Sequence, residues 1–233
     1  MTIKATYYLT PNAAGTAFTG TGYTPDGTVP KGAIPCTQEQ AQNFQAYVPS
    51  NGEIRPAPNS ALLQQAQSAQ IALVTKDYNT ATDYVPVTIN GTTYQVDNTA
   101  GKQALNLSLA ISANAMLQSP AWTASTEYTA GAYCNVGGVI LFCSASGKSG
   151  TASPTPPTKF GVPVTDGTAE WELMGRKVYL QGGGFAYMTP QQIMSAFQQG
   201  ELYLHQMSNQ LESLIAQINA AQSVADVEAV LWP

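Results

Sequence analysis

A long amphipathic helix near the C-terminus constrains the fold more than any other segment. Thr189 is a helix N-cap, Pro190 suits the first helical position, and Gln192 completes a capping box. A heptad pattern follows, and its length predicts packing against another helix. The partner is either the helix predicted at 99–117 of the same chain or the 190–221 helix of another chain in a coiled coil such as a homotrimer. The small and apolar residues form two seven-residue ladders: Phe197, Leu204, Leu211 and Ile218, and Ile193, Gly200, Met207, Leu214 and Ala221.

Turn and capping signals predict the other regular elements. Asn90-Gly91 between two β-rich runs is a strong hairpin signal, because both turn residues must adopt positive φ. A second hairpin is predicted around Gly182-Gly183-Gly184. Helices and strands in separate runs predict an α+β fold of several modules. The remaining predicted elements are short strands and a helix capped by Thr37 within residues 1–58, and helices at 60–78 and 99–117.

Residues 122–175 differ in composition from the segments on either side. They are rich in aromatic, Gly, Pro and Thr residues and show no helical periodicity. Their clearest element is a hairpin that turns at Gly137-Gly138. A helix-free stretch between helices predicts a small all-β module over residues 121–176.

Low charge restricts the possible partners. Charged side chains make up 10% of the chain, against roughly 25% in an ordinary soluble domain. Gln, Asn, Ser, Thr and Ala replace them, as on extracellular adhesins and virion proteins. The net charge is −5 and there is no Lys/Arg cluster, which argues against a nucleic-acid partner. No run approaches the ~20 apolar residues of a membrane span, and Met1–Ala5 do not resemble the start of a signal peptide.

Metal-binding and redox side chains are few. The single histidine, His205, lies off both apolar ladders and is expected at the surface. Cys36, Cys134 and Cys143 lack metal-ligand spacing, so no zinc site is predicted. Free thiols are expected in a protein that folds in the cytoplasm, and the alternative is a disulfide between Cys134 and Cys143.

Carboxylates that could act in catalysis are also scarce. Asp166, Glu170 and Glu172 are the only ones clustered beside aromatics, so they are the candidates for a glycosidase pair. The alternative is structural, with Asp166 in a turn before Gly167 and the glutamates exposed on a strand. We therefore expect a non-enzymatic protein without cofactor or metal.

A spaced pattern of aromatics and glycines runs through the helix-free segment: Trp122-x5-Tyr128-x2-Gly131-x-Tyr133, Gly138-x3-Phe142-Cys143 and Asp166-Gly167-x3-Trp171. This pattern resembles small carbohydrate-binding modules related to chitin-binding domains, which recur in phage tail proteins. The resemblance implies that aromatic rings stack on sugars while polar groups bind the hydroxyls. The alternative is that so small a module needs its aromatics as core, and we expect Trp122 and Trp171 to lie mainly there. The tentative sugar-binding residues are Trp122, Tyr128, Tyr133, Phe142, Asp166 and Trp171.

The flanking segments carry a second pattern. Val87-Thr88-Ile89-Asn90-Gly91-x2-Tyr94-x-Val96-Asp97, and later Met188-Thr189-Pro190-Gln191-Gln192 with the heptad helix, resemble the two halves of a C-terminal domain of phage tail-fibre proteins. Residues 1–58 are similar to the N-terminal part of tail-fibre assembly proteins. The implied organisation is a β-rich module at 1–58, a connecting helix at 59–82, a β-hairpin and helical-hairpin domain at 83–120 plus 177–233, and the β module inserted at 121–176.

The two resemblances imply a bacteriophage virion protein associated with the tail fibre. It would contribute to attachment to a host-surface glycan or to the structure of the fibre tip. The alternatives are a tail-fibre assembly chaperone and a capsid or tail decoration protein. Expected partners are tail-fibre or other tail proteins and a host cell-surface glycan, without nucleic acid or membrane insertion. Such a protein is made in the host cytoplasm and leaves by lysis, which explains a virion location without a signal peptide.

Overall fold

The computed structural model of the chain describes residues 5–233. Residues 1–4, most of the segment compared above with signal peptides, lie outside the described part. The chain divides into two compact units. The first unit is Met1–Val74 with Ser213–Pro233, and the second is Thr75–Glu212.

Helices and small antiparallel sheets make up both units, which is consistent with the predicted α+β class. Among the described residues, every two strands that pair in a sheet run antiparallel. The helices are α1 (Gln38–Gln42), α2 (Asn59–Thr82), α3 (Ala100–Leu117), α4 (Pro190–Ala220) and α5 (Val224–Glu228). The strands are β1 (Thr6–Pro11), β2 (Phe18–Thr24), β3 (Ile34–Cys36), β4 (Tyr47–Ser50), β5 (Glu53–Pro56), β6 (Tyr84–Ile89), β7 (Thr92–Asp97), β8 (Glu127–Tyr128), β9 (Tyr133–Val136), β10 (Val139–Ala145), β11 (Gly147–Lys148), β12 (Val164–Asp166), β13 (Ala169–Leu173), β14 (Arg176–Tyr179) and β15 (Phe185–Met188).

The first unit holds a three-stranded sheet of order β2-β1-β3, the β4–β5 hairpin and α1. Leu9 of β1 is fully buried. Thr37 caps α1 and exchanges hydrogen bonds with Gln40, which confirms the predicted helix start. The beginning of α2 meets the end of α4 here, because Gln67 Nε2 donates to the carbonyl of Ile218 at 3.1 Å.

Local signals in the second unit produce the expected turns and caps. The β6–β7 hairpin turns at Asn90 (φ 52°) and Gly91 (φ 79°), so its predicted left-handed turn is confirmed. The β14–β15 hairpin also forms where it was predicted. At the start of α4, Thr189 and Gln192 make the reciprocal hydrogen bonds of a capping box.

In the second unit, α4 packs on the β6–β7 hairpin, on α3 and on α2. Ile193 shares a buried cluster with Val85 of β6 and Ala113 of α3. Tyr203 Oη donates to the carbonyl of Ala81 in α2 at 3.1 Å. The predicted packing on α3 therefore involves the first turns of α4, while α2 is a helical partner that the heptad pattern did not identify. Among residues 5–233, no helix combines the length and apolarity needed to cross a bilayer.

A four-stranded sheet of order β12-β13-β10-β9 lies in the aromatic segment of the second unit. Side chains alternate between its faces. On one face, Leu141 and Trp171 belong to a buried cluster. On the other face, Ile140 packs with Met116 of α3 and with Met174. The two faces thus have separate cores, and this division decides where the predicted sugar-binding residues lie.

Candidate functional site

Asp166, a predicted sugar-binding residue, is buried at the end of β12 and is 6% exposed. Its Oδ2 accepts hydrogen bonds from Trp122 Nε1 at 2.8 Å and Trp171 Nε1 at 3.1 Å. Its Oδ1 accepts from the backbone N–H of Gly150 at 2.8 Å. Hydrogen bonds to an ionised acceptor offset the cost of removing the carboxylate from water. Asp166 therefore organises the module from inside.

Glycines allow the backbone to close around this carboxylate. A Cβ at Gly150 would lie 2.7 Å from Asp166 Oδ1. Gly167 has φ +66°, and a Cβ there would lie 2.2 Å from the carbonyl oxygen of Lys148. Contacts this short are essentially never made by a real Cβ, so a larger residue at either position would displace the backbone or the Asp166 side chain.

Tyr128 belongs to the same buried arrangement. Its ring packs edge-on against Trp171, with the ring centroids 4.8 Å apart. Its Oη accepts a hydrogen bond from the backbone N–H of Thr123 at 2.8 Å. We call Trp122, Tyr128, Asp166 and Trp171 the inner aromatic cluster. Trp171 is fully buried, as expected from the sequence, and Trp122 and Tyr128 are partly buried.

Tyr133 and Phe142 lie on the other face of the sheet. They are opposite each other on β9 and β10, and their ring centroids are 5.7 Å apart. Both pack against the core that contains Met116 of α3. The structure thus brings four of the six predicted sugar-binding residues together and separates the other two from them by the thickness of the sheet.

The three carboxylates that the sequence predicts as glycosidase candidates also lie on different faces of the sheet. Asp166 pairs with Ala169, which is fully buried, so both side chains lie on the inner face. Glu170 and Glu172 alternate with Ala169 and Trp171 along β13 and project from the opposite face. Asp166 therefore does not flank a common site with either glutamate.

A different set of aromatics is exposed, on the outward face of the β14–β15 hairpin. Phe185 is 50% and Tyr187 48% exposed. Their rings make an edge-to-face contact with centroids 5.7 Å apart, and Phe160 lies 5.6 Å from Tyr187 on a neighbouring loop. We call Phe160, Phe185 and Tyr187 the outer aromatic cluster. Strand alternation indicates its hairpin members, since Val178 and Met188 face the core and their neighbours must face outward.

Backbone and lysine contacts hold the outer aromatic cluster in place. Phe160 lies directly on Gly175, where a Cβ would come within 2.4 Å of the ring. Lys177, which pairs with Tyr187 across the hairpin, places its Nζ 4.5 Å from the centroid of Phe185. The next pair of outward residues on the hairpin is Tyr179 and Phe185. Lys102 Nζ lies 3.8 Å from the centroid of the Tyr179 ring. The surface therefore alternates aromatic faces with ammonium groups.

The second unit also contains an open cavity of about 480 Å³. Its floor includes Val87 and Val178, and its walls include Leu107 of α3 and Phe197 of α4. Gly200 of α4 lines it too, and a Cβ there would make only an ordinary contact with Val85. This volume lies in the range of small-molecule and side-chain binding sites.

The three cysteines and the single histidine do not belong to the outer aromatic cluster. All three cysteines are free thiols. Burial, together with the neighbouring Cys143 and Asp166, raises the pKa of Cys134 to about 12. His205 is exposed. Within residues 5–233, no group of three His, Cys, Asp or Glu side chains is placed to hold a metal ion.

Comparisons of the chain with protein-family models, with curated proteins and with solved structures found no match.

Proposed function

We propose that this chain is a phage tail protein, associated with the tail fibre, that contributes to attachment to a host-surface glycan. The observation that carries the proposal is the outer aromatic cluster. Rings that are half exposed and in mutual contact are suited to the apolar C–H face of a pyranose. The charge-poor, amide-rich composition supports the same role, because such a surface binds hydroxyls through neutral hydrogen bonds.

The proposed contact surface differs from the one that the sequence pattern indicates. Trp122, Tyr128 and Trp171 already have partners within the inner aromatic cluster. A sugar would have to compete with those contacts, whereas Phe185 and Tyr187 offer free ring surface. We therefore propose the hairpin as the main contact and the β module as its structural neighbour.

Binding of the purified protein to host cells and to their lipopolysaccharide tests this function. We expect the double variant Phe185→Ala with Tyr187→Ala to lose binding. The matched control is Tyr23→Ala, because Tyr23 is a 66% exposed aromatic in the first unit. Mass spectrometry of purified virions should find the protein in the particle. Binding that survives the double variant, or a protein confined to the lysate, would refute the proposal.

A tail-fibre assembly chaperone is the second candidate function, and the cavity in the second unit favours it. Leu107 at the cavity wall is 50% exposed and Ile111, one turn further along α3, is 64% exposed. Paired exposed apolar residues beside an open apolar cavity suit transient contact with a fibre polypeptide. Co-expression with the neighbouring fibre gene tests this role. Loss of fibre trimers with Leu107→Ser plus Ile111→Ser, but not with Leu231→Ser, would favour it over direct attachment.

A further inference from the structure

Lys177 holds an uncompensated positive charge on the outer aromatic cluster. Its Nζ lies 4.5 Å from the ring centroid of Phe185 and 5.8 Å from that of Tyr187. Within residues 5–233 the single ion pair is Arg55–Glu53, so no described carboxylate neutralises Lys177. The ring faces attract the ammonium group and keep it beside the exposed aromatics.

The same surface carries further positive charge. Lys102 Nζ lies over Tyr179, and Tyr179 is the cross-strand neighbour of Phe185. Arg176 is exposed but pairs with the buried Met188, so it belongs to the other side of the hairpin. The chain has only 9 Lys and Arg residues and a net charge of −5, so two ammonium groups on the rings of one hairpin face, Lys177 and Lys102, are a local concentration of positive charge. A negatively charged ligand would therefore be attracted to this surface, although the net charge of the chain as a whole repels it.

We propose that the outward face of the β14–β15 hairpin binds an acidic saccharide, one whose pyranose carries a carboxylate. The sugar ring stacks on Tyr187 and Phe185, and the carboxylate pairs with Lys177. Ring contact to an ammonium at an exposed site is weak, so Lys177 turns from Phe185 to the carboxylate without losing a strong bond. This inference rests on the proposed glycan attachment and adds the charge class of the sugar.

Binding to matched acidic and neutral saccharides tests the inference. The probes are oligogalacturonate and oligomannuronate beside their methyl esters, and sialyllactose beside lactose, titrated against the full chain by calorimetry. We expect at least one acidic probe to bind about tenfold or more tightly than its neutral counterpart, since one charge-assisted hydrogen bond supports a difference of that size. This preference should shrink as salt is added.

Variants assign the preference to its residues. Lys177→Gln should weaken the acidic probe about tenfold and leave the neutral probe unchanged or slightly tighter, because it frees a face of Phe185. Phe185→Ala should weaken both probes. Lys31→Gln, an exposed lysine of the first unit, is the matched charge control and should change neither. Unchanged urea midpoints would show that the exposed substitutions leave the fold intact.

The outcomes separate the two proposals. Equal binding of acidic and neutral probes, or a preference that Lys177→Gln does not reduce, would overturn the acidic-sugar inference and leave glycan attachment standing. Failure of every acidic probe to bind would also overturn the acidic-sugar inference, whereas binding to host lipopolysaccharide decides glycan attachment separately.

Discussion

The inner and outer aromatic clusters lie in the same unit but use aromatic rings in opposite ways. In the inner cluster, two indole N–H groups donate to one buried carboxylate, Asp166. In the outer cluster, a lysine ammonium lies on the ring faces and the rings remain half exposed. The edge of an aromatic ring system is positive and its face is negative. The indole edges of the inner cluster therefore contact a carboxylate, and the ring faces of the outer cluster contact an ammonium group. The charged neighbour therefore indicates a ring's role better than the ring's own identity does.

The amount of core nearby explains the difference. The sheet of β9, β10, β12 and β13 is small, and a small domain buries too little apolar surface to leave its aromatics free. The β14–β15 hairpin, by contrast, already contributes Val178 and Met188 to a shared buried cluster. Its outward aromatics are therefore not needed for stability. Substitutions in the two clusters should therefore change the free energy of unfolding by different amounts.

The largest effect is expected for Asp166→Asn. Three donors face the two carboxylate oxygens, and an amide has only one oxygen, so at least one buried donor would face an N–H. Losing the charge and leaving a donor unpaired should lower the free energy of unfolding by about 3 kcal/mol. Urea unfolding followed by tryptophan fluorescence measures the change. Glu127→Gln, at an exposed carboxylate on β8, is the control, and an equally small effect for both would contradict the role of Asp166.

Trp122→Phe tests one hydrogen bond of the inner cluster. It keeps an aromatic ring but removes the indole N–H that donates to Asp166 Oδ2 at 2.8 Å. A hydrogen bond to a charged group supports a loss of about 2 kcal/mol in the free energy of unfolding. Tyr187→Phe in the outer cluster is the matched change and should be near neutral. If both variants unfold at the same urea concentration as the wild type, the inner hydrogen bond does not stabilise the fold.

A buried thiol on the inner face of the sheet should make the free energy of unfolding depend on pH. Burial raises the pKa of Cys134 from 9.0 to about 12, so the folded state retains a proton that the unfolded chain releases above pH 9. This stabilisation is complete below pH 9 and is lost as the pH rises towards 12. At about pH 10.5 the loss relative to pH 8 should be about 2 kcal/mol.

Denaturant unfolding of Cys134→Ala at both pH values isolates this contribution. The variant should lose less stability between pH 8 and pH 10.5 than the wild type does, because alanine has no proton to release. Cys36→Ala serves as the control, since Cys36 lies in the first unit and is less buried. Parallel declines in all three proteins would exclude Cys134 as the source.

The smallest effect on stability is expected for Tyr187→Ala. Its ring contacts are with exposed or partly exposed aromatics, so the free energy of unfolding should fall by at most about 1 kcal/mol. Thermal unfolding by circular dichroism measures it. A loss as large as that of Trp122→Phe would show that the outer cluster is structural, and would remove the contrast between the two.

Local rules predicted the parts of the fold that depend on neighbouring residues. Asn90-Gly91 specified its hairpin because few other residues adopt two successive positive φ angles. Thr189 and Gln192 specified the start of α4 because the capping bonds close within three residues. The contact of α4 with α2 was not predictable in this way. A heptad ladder shows that a helix needs a partner but does not identify the partner.

The candidate site was harder to predict than the fold. The spacing of aromatics in residues 122–171 did not reveal that the sheet places Tyr133 and Phe142 on one face and Trp171 on the other, because this depends on strand register. Alternation within Phe185-Ala186-Tyr187 could have indicated two exposed rings. Phe160 could not have been joined to them, since its contact with Tyr187 depends on a loop of no regular structure.

The carboxylate of Asp166 also sets an order for synthesis of the chain. Trp122 leaves the ribosome 44 residues before the acceptor of its indole N–H, and Trp171 follows 5 residues after that acceptor. Until then the β9–β10 hairpin exposes Leu141 and Cys143, which are fully buried in the finished sheet. The buried arrangement around Asp166 can therefore be completed only after residue 171 has been synthesised, and these core side chains lack their final partners until then.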